Sequence, residues 1–205
     1  MIVRAIVLDL NLIVTDITST PLKNTTRKID FAAMVPMQVE GSLNELSLIN
    51  KLIIGGGVIS NHLWNAISVS ECLAYQTFGM TETISHIAMR RVSNELTNYR
   101  VLPGVEIAVE EGCLSINAPD LGVENLQTND QVEIYEDGSF KWLGRKDFVI
   151  NSGGVKIHPE VIEDKLESLI QQPFFVIGLP DDTFGEKLIL CIEGDSSILK
   201  SELET

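Results

Sequence analysis

Two short apolar runs constrain this fold more than any other feature. Phe31 to Val35 ends at Pro36, and Leu52 to Ile54 ends in Gly55, Gly56 and Gly57. Apolar runs of this length, without polar alternation, read as strands buried on both faces of a sheet. Met37 to Leu48 lies between them and Asn61 to Ile67 follows the glycines, and both stretches read as helices. Strand followed by helix, repeated, predicts an α/β unit with a largely parallel sheet.

From Val105 the pattern changes to hairpins. Val105 to Val109 and Cys113 to Asn117 flank a Glu-Gly turn, and Gln131 to Glu136 and Ser139 to Leu143 flank Asp137-Gly138. Asp-Gly is a strong hairpin signal because both positions tolerate positive φ. A small α/β module follows. Pro159 suits a first helical turn, where the missing N–H costs nothing, and Glu160, Glu163 and Asp164 suit the positive end of the helix dipole. Ile162, Leu166, Leu169 and Ile170 recur at helical spacing and are expected to face a core, under strands Phe174 to Leu179 and Leu188 to Ile192. The expected organisation is therefore a large α/β domain over 1–145, with a mixed sheet, helices and then β-hairpins, and a smaller α/β module over 146–205.

The 205 residues are 44% hydrophobic, enough for a substantial core. A formal charge of −14 excludes a general nucleic-acid binder, which needs a basic stripe to displace counterions from phosphates. Any polyanion must therefore be bound locally, by backbone N–H groups, a few placed cations or Mg²⁺. The apolar opening from Met1 to Val14 is interrupted by Arg4, Asp9 and Asn11 and is too short to cross a bilayer, so no membrane insertion and a cytoplasmic location are expected. Cys72, Cys113 and Cys191 are widely spaced among apolar residues and read as three buried, reduced thiols.

Four stretches carry groups able to do chemistry. Tyr75-Gln76-Thr77-Phe78-Gly79-Met80-Thr81-Glu82-Thr83 sets a hydroxyl and a carboxylate just past a strand end. There a hydroxyl can donate to a phosphate and a carboxylate can hold a metal, although Thr81 and Glu82 could equally cap a helix. Gly55 to Gly57 could form a tight turn or a flat wall beside a planar ligand. Asp130, in Gln127-Thr128-Asn129-Asp130, could accept from ribose hydroxyls or close an Asx turn. In the stretch from Gly144 to Ile157, Arg145 could fork onto vicinal hydroxyls or phosphate, and Lys156 could act as a point charge on phosphate; a solvated loop is the alternative. His62, His86 and His158 have no metal-ligand spacing.

Taken in order, the Gly-rich wall, F-G-M-T-E, T-N-D and G-R-x-D-x-x-I-x-x-G-G-x-K-I resemble the adenylate-forming superfamily of acyl-CoA synthetases, luciferases and peptide-synthetase adenylation domains, over roughly Leu52 to Ile192. The resemblance implies the later part of a large AMP-binding domain, a hinge and a small lid domain. It implies ATP, AMP and Mg²⁺ as ligands and coenzyme A as co-substrate. By position, Phe78 and Gly79 fall beside adenine, with Phe78 where the family usually has tyrosine, and Gly55, Gly56 and Gly57 border adenine and the acyl pocket. Thr81 falls on the α-phosphate, Glu82 on Mg²⁺, and Asp130 and Arg145 on the ribose hydroxyls. Asp147 falls on the hinge, Gly154 where the CoA tunnel narrows, and Lys156 near nucleotide phosphate. The phrases M-V-P-M-Q-V, L-I-I-G-G-G and G-M-T-E-T-I-S-H-I-A look like the ligases that join o-succinylbenzoate to CoA in menaquinone synthesis, which implies a small carboxylic acid substrate with Ser85 and His86 beside it.

The sequence departs from the family in two places. Nothing in Met1 to Asn61 resembles the family's ATP-phosphate loop, and neither Lys187 nor Lys200 has the G-K context of its final catalytic lysine. The expectation is a chain truncated at both ends, with impaired activity and with sheet edges and apolar surface open to association, including with a second copy. The rival readings are a non-catalytic nucleotide-binding remnant and a ligase that acts on another acid or passes its acyl group to a carrier protein.

Overall fold

The computed structural model describes residues 2–95, 97–170 and 172–194, so Lys200 lies outside the described residues. They form two compact units, the first comprising the residues up to Val105 with Ala118–Val123, the second Glu106–Asn117 and the residues from Glu124 onward.

The first unit contains, in order, α1 (Ile2–Val7), β1 (Ile29–Met34), α2 (Pro36–Glu40), β2 (Ile49–Ile54), α3 (Asn61–Ser68), β3 (Leu73–Gly79), β4 (His86–Arg91) and β5 (Arg100–Val101). The strands lie side by side in chain order in one sheet. β1, β2 and β3 are parallel, as strand–helix alternation requires, whereas β4 and β5 are antiparallel additions that the apolar runs did not announce. Leu52, Ile54, Leu63, Ile67 and Ala74 share one core with Val39 and Leu46. Ser60 caps α3 by accepting the Leu63 N–H at 3.1 Å, a contact worth about 1 kcal/mol. The helix expected over Met37 to Leu48 is broken: α2 stops at Glu40 and a 3-10 turn spans Leu43–Leu48. The break is at Gly41, where a Cβ would run into the Ser19 carbonyl, so a tertiary contact overrides helical periodicity.

The second unit contains β6 (Glu106–Glu110), β7 (Cys113–Ala118), β8 (Val123–Gln127), β9 (Asp130–Ile134), β10 (Phe140–Arg145), β11 (Ile150–Ser152), β12 (Val155–Ile157), α4 (Pro159–Leu166), β13 (Phe174–Asp181) and β14 (Gly185–Ile192). Both expected hairpins form. In the first, Glu111 and Gly112 have φ of 49° and 79°, the positive pair that a tight two-residue connection needs. In the second, Gly138 takes φ 76° while Asp137 accepts from the Ser139 N–H at 3.0 Å. The last sheet runs β12-β11-β14-β13, and Glu163 of α4 accepts the Val176 N–H of β13 at 2.7 Å, fastening helix to sheet.

The architecture is thus mixed α/β, with sheets predominating over a few short helices. Two side-chain expectations need correction. Leu169 is 71% exposed because α4 ends at Leu166, before its stripe is complete, although Ile170 is buried. Cys191 is half-buried on β14, whereas Cys72 and Cys113 are buried; all three are free. Among the described residues no helix is long and apolar enough to cross a membrane. The start of the chain nevertheless carries exposed apolar side chains, including Val3, Ile6, Val7 and Val14.

Candidate functional site

In the first unit the candidate residues gather at the ends of β2 and β3. Gly55 follows β2, and a Cβ there would stand 2.5 Å from Thr77 Oγ1, whose hydroxyl donates to the Ile54 carbonyl at 3.1 Å. Gly55 is therefore required by its neighbour strand, while Gly56 has φ 78° and is exposed, as is Gly57. One residue past β3, the chain turns through a 3-10 segment, Thr81–Thr83. Gly79 has no room for a side chain, since a Cβ would lie 2.5 Å from both the Ser85 carbonyl oxygen and His86 Cα.

The capping hydroxyl of this turn belongs to Thr83 rather than to Thr81. Thr83 is fully buried; it accepts from the Met80 N–H at 3.1 Å and donates to the Ser85 carbonyl at 2.8 Å. Because Thr83 closes the turn, Thr81 and Glu82 are exposed, and their side chains have no hydrogen-bond partner among the described residues. Ile84 pays for the tight reversal with φ 63°, a strained value for a β-branched residue. Ser85 Oγ lies 3.2 Å from His86 Nδ1, so the two candidate acid-pocket residues are bonded neighbours. Burial, and secondarily the positive Arg4, holds the His86 imidazole below its ordinary pKa.

The Phe78 ring sits 5.6 Å from the Tyr99 ring at a 59° tilt. Behind Tyr99, the Arg90 guanidinium lies 4.8 Å from the Tyr99 ring and 4.6 Å from that of Trp64, and its Nε donates to Gln76 at 2.8 Å. Sequence reading missed this stack, because its members come from α3, β3, β4 and the segment before β5.

In the second unit Asp130 and Arg145 are cross-strand partners at the end of the β9–β10 ladder. A bulge between Trp142 and Gly144 sets that register, and Gly144 takes φ 137°. A Cβ on Gly144 would collide with the Glu160 carboxylate, which also accepts the Arg145 N–H at 3.2 Å. Asp130 is buried: its N–H donates to Thr128 Oγ1 at 3.1 Å, and its Oδ1 accepts from the indole N–H of Trp142 at 2.8 Å. The Arg145 guanidinium donates to Asp147 at 2.7 Å, and Asn129 donates to the same carboxylate oxygen at 3.1 Å. That bond to Asp147 is the main cause of a raised Arg145 pKa, with the negative field of Asp130, Asp147 and Glu160 acting in the same direction against desolvation. Asp147 itself lies in a 3-10 turn, Lys146–Phe148, between β10 and β11.

Gly153 and Gly154, with φ 58° and 83°, form the tight tip between β11 and β12. Lys156 projects exposed from β12, paired through its backbone with Asn151. The structure thus sets Asp130 opposite Arg145 on neighbouring strands and ties Arg145 to Asp147, and it places Gly154 and Lys156 on a separate hairpin. Sequence reading gave Trp142 no role and placed Glu160 only at the start of a helix, without its contact to the Arg145 N–H. The only available signal was the Trp-Leu-Gly-Arg spacing, in which a bulge at Leu143-Gly144 aligns Arg145 with Asp130.

No protein-family model matches the chain. It is 28% identical over 197 residues to the 2-succinylbenzoate–CoA ligase of Lactococcus lactis subsp. lactis (strain IL1403), covering 85% of this chain and 44% of that protein. Among solved structures it resembles an acyl-CoA synthetase (AMP-forming)/AMP-acid ligase II-like protein from Dyadobacter fermentans DSM 18053, with a TM-score of 0.61 and 36% identity, covering 92% of this chain and 58% of that one. The o-succinylbenzoate coenzyme A synthetase of Bacillus subtilis, in complex with ATP and magnesium ion, matches with a TM-score of 0.68 over 84% of this chain and 44% of that one; its 21% identity establishes likeness of fold. The chain spans about half the length of the curated relatives it matches.

Proposed function

From a chain whose homologues and structural neighbours are AMP-forming acyl-CoA synthetases, 2-succinylbenzoate–CoA ligases among them, we propose the chemistry of an ATP-dependent acid–CoA ligase. In that chemistry a substrate carboxylate attacks the α-phosphorus of ATP, giving an acyl-adenylate and pyrophosphate. The thiol of coenzyme A then attacks the acyl carbon and AMP leaves. Neither step needs a covalent enzyme intermediate, so the protein contributes position and charge compensation.

Each residue is assigned the role that the resemblance implies for its position. Asp130 accepts from a ribose hydroxyl and Arg145 donates to the other, while Gly55, Gly56, Gly57, Phe78 and Gly79 supply flat surface for adenine. Thr81 donates to the α-phosphate and Lys156 offsets phosphate charge. Asp147 is the pivot of the lid, and Gly154, lacking a side chain, leaves passage for the pantetheine arm. Mg²⁺ would be held by Glu82. One exposed carboxylate, with no cluster of three or more His, Cys, Asp or Glu ligands among the described residues, fits an ion that keeps most of its contacts to phosphate and water. When bound, the ion supplies charge neutralisation at the phosphates.

The observation that supports this reading most is the Asp130–Arg145 pair, an acceptor and a forked donor set opposite each other by a bulge and a glycine. For the acid we propose o-succinylbenzoate, with Ser85 and His86 beside it. The test is calorimetry with non-hydrolysable acyl-adenylates. Tighter binding of the o-succinylbenzoyl adenylate than of AMP or a benzoyl adenylate is expected. Equal affinity for the three would remove the substrate assignment, and no binding of any would remove the nucleotide reading.

A further inference from the structure

We propose that Trp142 is a positioning residue that fixes Asp130 for ribose and thereby makes this chain select ribonucleotides over their deoxy counterparts. The inference rests on the nucleotide reading above and deepens it. Asp130 and Val132 share one face of β9, and Trp142 lies opposite Val132, so its indole reaches diagonally across the ladder to Asp130. An indole N–H can only donate, so its 2.8 Å bond commits Oδ1 as an acceptor and fixes the carboxylate's torsion. The main chain is fixed as well: Thr128 accepts the Asp130 N–H and donates its own hydroxyl to the Leu114 carbonyl at 2.8 Å. The second carboxylate oxygen takes no hydrogen bond from the described residues. It is an acceptor open to a sugar hydroxyl, on a side chain held in place by the Trp142 bond.

A tryptophan that only filled space would act through packing and would weaken every nucleotide alike. A positioning tryptophan acts on the hydroxyl contact alone. The experiment therefore compares AMP with 2′,3′-dideoxy-AMP by calorimetry on the whole chain, wild type and Trp142→Phe, which keeps an aromatic ring and removes the donor. Wild type is expected to prefer AMP, and Trp142→Phe to lose about tenfold of that preference while its affinity for the dideoxy compound stays unchanged. Equal losses for both nucleotides, or an unaltered preference, overturn the proposal. Wild type that binds both equally overturns the ribose role of Asp130 itself, and wild type that binds neither overturns the nucleotide reading; the proposal falls with either. Should Trp142→Phe not fold, the wild-type indole N–H resonance decides. It is assigned through Trp64→Phe, since the chain has two tryptophans. Movement with AMP and none with 2′,3′-dideoxy-AMP supports the proposal, and identical behaviour with both overturns it.

Discussion

After β3 the backbone is fixed and the Thr81 and Glu82 side chains take no hydrogen bond from the described residues, whereas at the end of the β9–β10 ladder the candidate side chains are themselves tied. Thr83, Gly79 and the strained Ile84 hold the first turn so that Thr81 and Glu82 project outward without partners among the described residues. In the second place Trp142 holds Asp130, and Asp147 holds Arg145. The difference matches the demands of the proposed ligands. Phosphate and Mg²⁺ bring strong charge and tolerate some motion in a hydroxyl or carboxylate. A ribose brings neutral hydroxyls, and a weak directional contact gains most from an acceptor that has no freedom left to lose.

The contrast can be broken first at the turn. Gly79→Ala places a Cβ against the Ser85 carbonyl and His86, and should cost roughly 2–3 kcal/mol of stability in urea unfolding. Next, Thr83→Val removes a buried hydroxyl, leaves the Met80 N–H without its acceptor, and should cost about 1–2 kcal/mol. Thr83→Ser should recover most of that loss. Unchanged stability in Thr83→Val would mean that the turn is held by strand pairing alone.

A smaller effect depends on pH. Because burial lowers the His86 pKa from its ordinary 6.5, the unfolded chain takes up this proton more readily than the folded one. Stability should therefore fall as pH drops through and below 6.5, until the folded-state pKa is passed, and hold above it. His86→Asn should flatten that part of the profile. An unaltered slope would place the pH dependence elsewhere.

How much of this was legible in the sequence depended on how local the cause was. The glycines at 112 and 138 announced both hairpins because a positive φ is a property of one residue. The parallel strands were legible as apolar runs, but burial on both faces holds only for Leu52 to Ile54 of β2; β1, at the end of the sheet order, leaves Ala33 and the following Val35 exposed. The break at Gly41 was not, since its cause is the Ser19 carbonyl, far back along the chain. Thr83 was hidden for a different reason: three hydroxyl or carboxylate residues in a row, Thr81, Glu82 and Thr83, could each have capped the turn. The Trp142–Asp130 bond depends on a bulge that shifts register between two strands, and no alternation pattern records that.

Asp130 and Arg145 form the proposed ribose-holding pair, and calorimetry with AMP on wild type and Arg145→Ala tests that role most directly. In the structure Arg145 is engaged by Asp147, so ligand must compete for that guanidinium, and weak but measurable binding is expected from wild type. Arg145→Ala should weaken it by about tenfold or more, as loss of a charged donor implies. Equal heats from the two proteins would contradict the account.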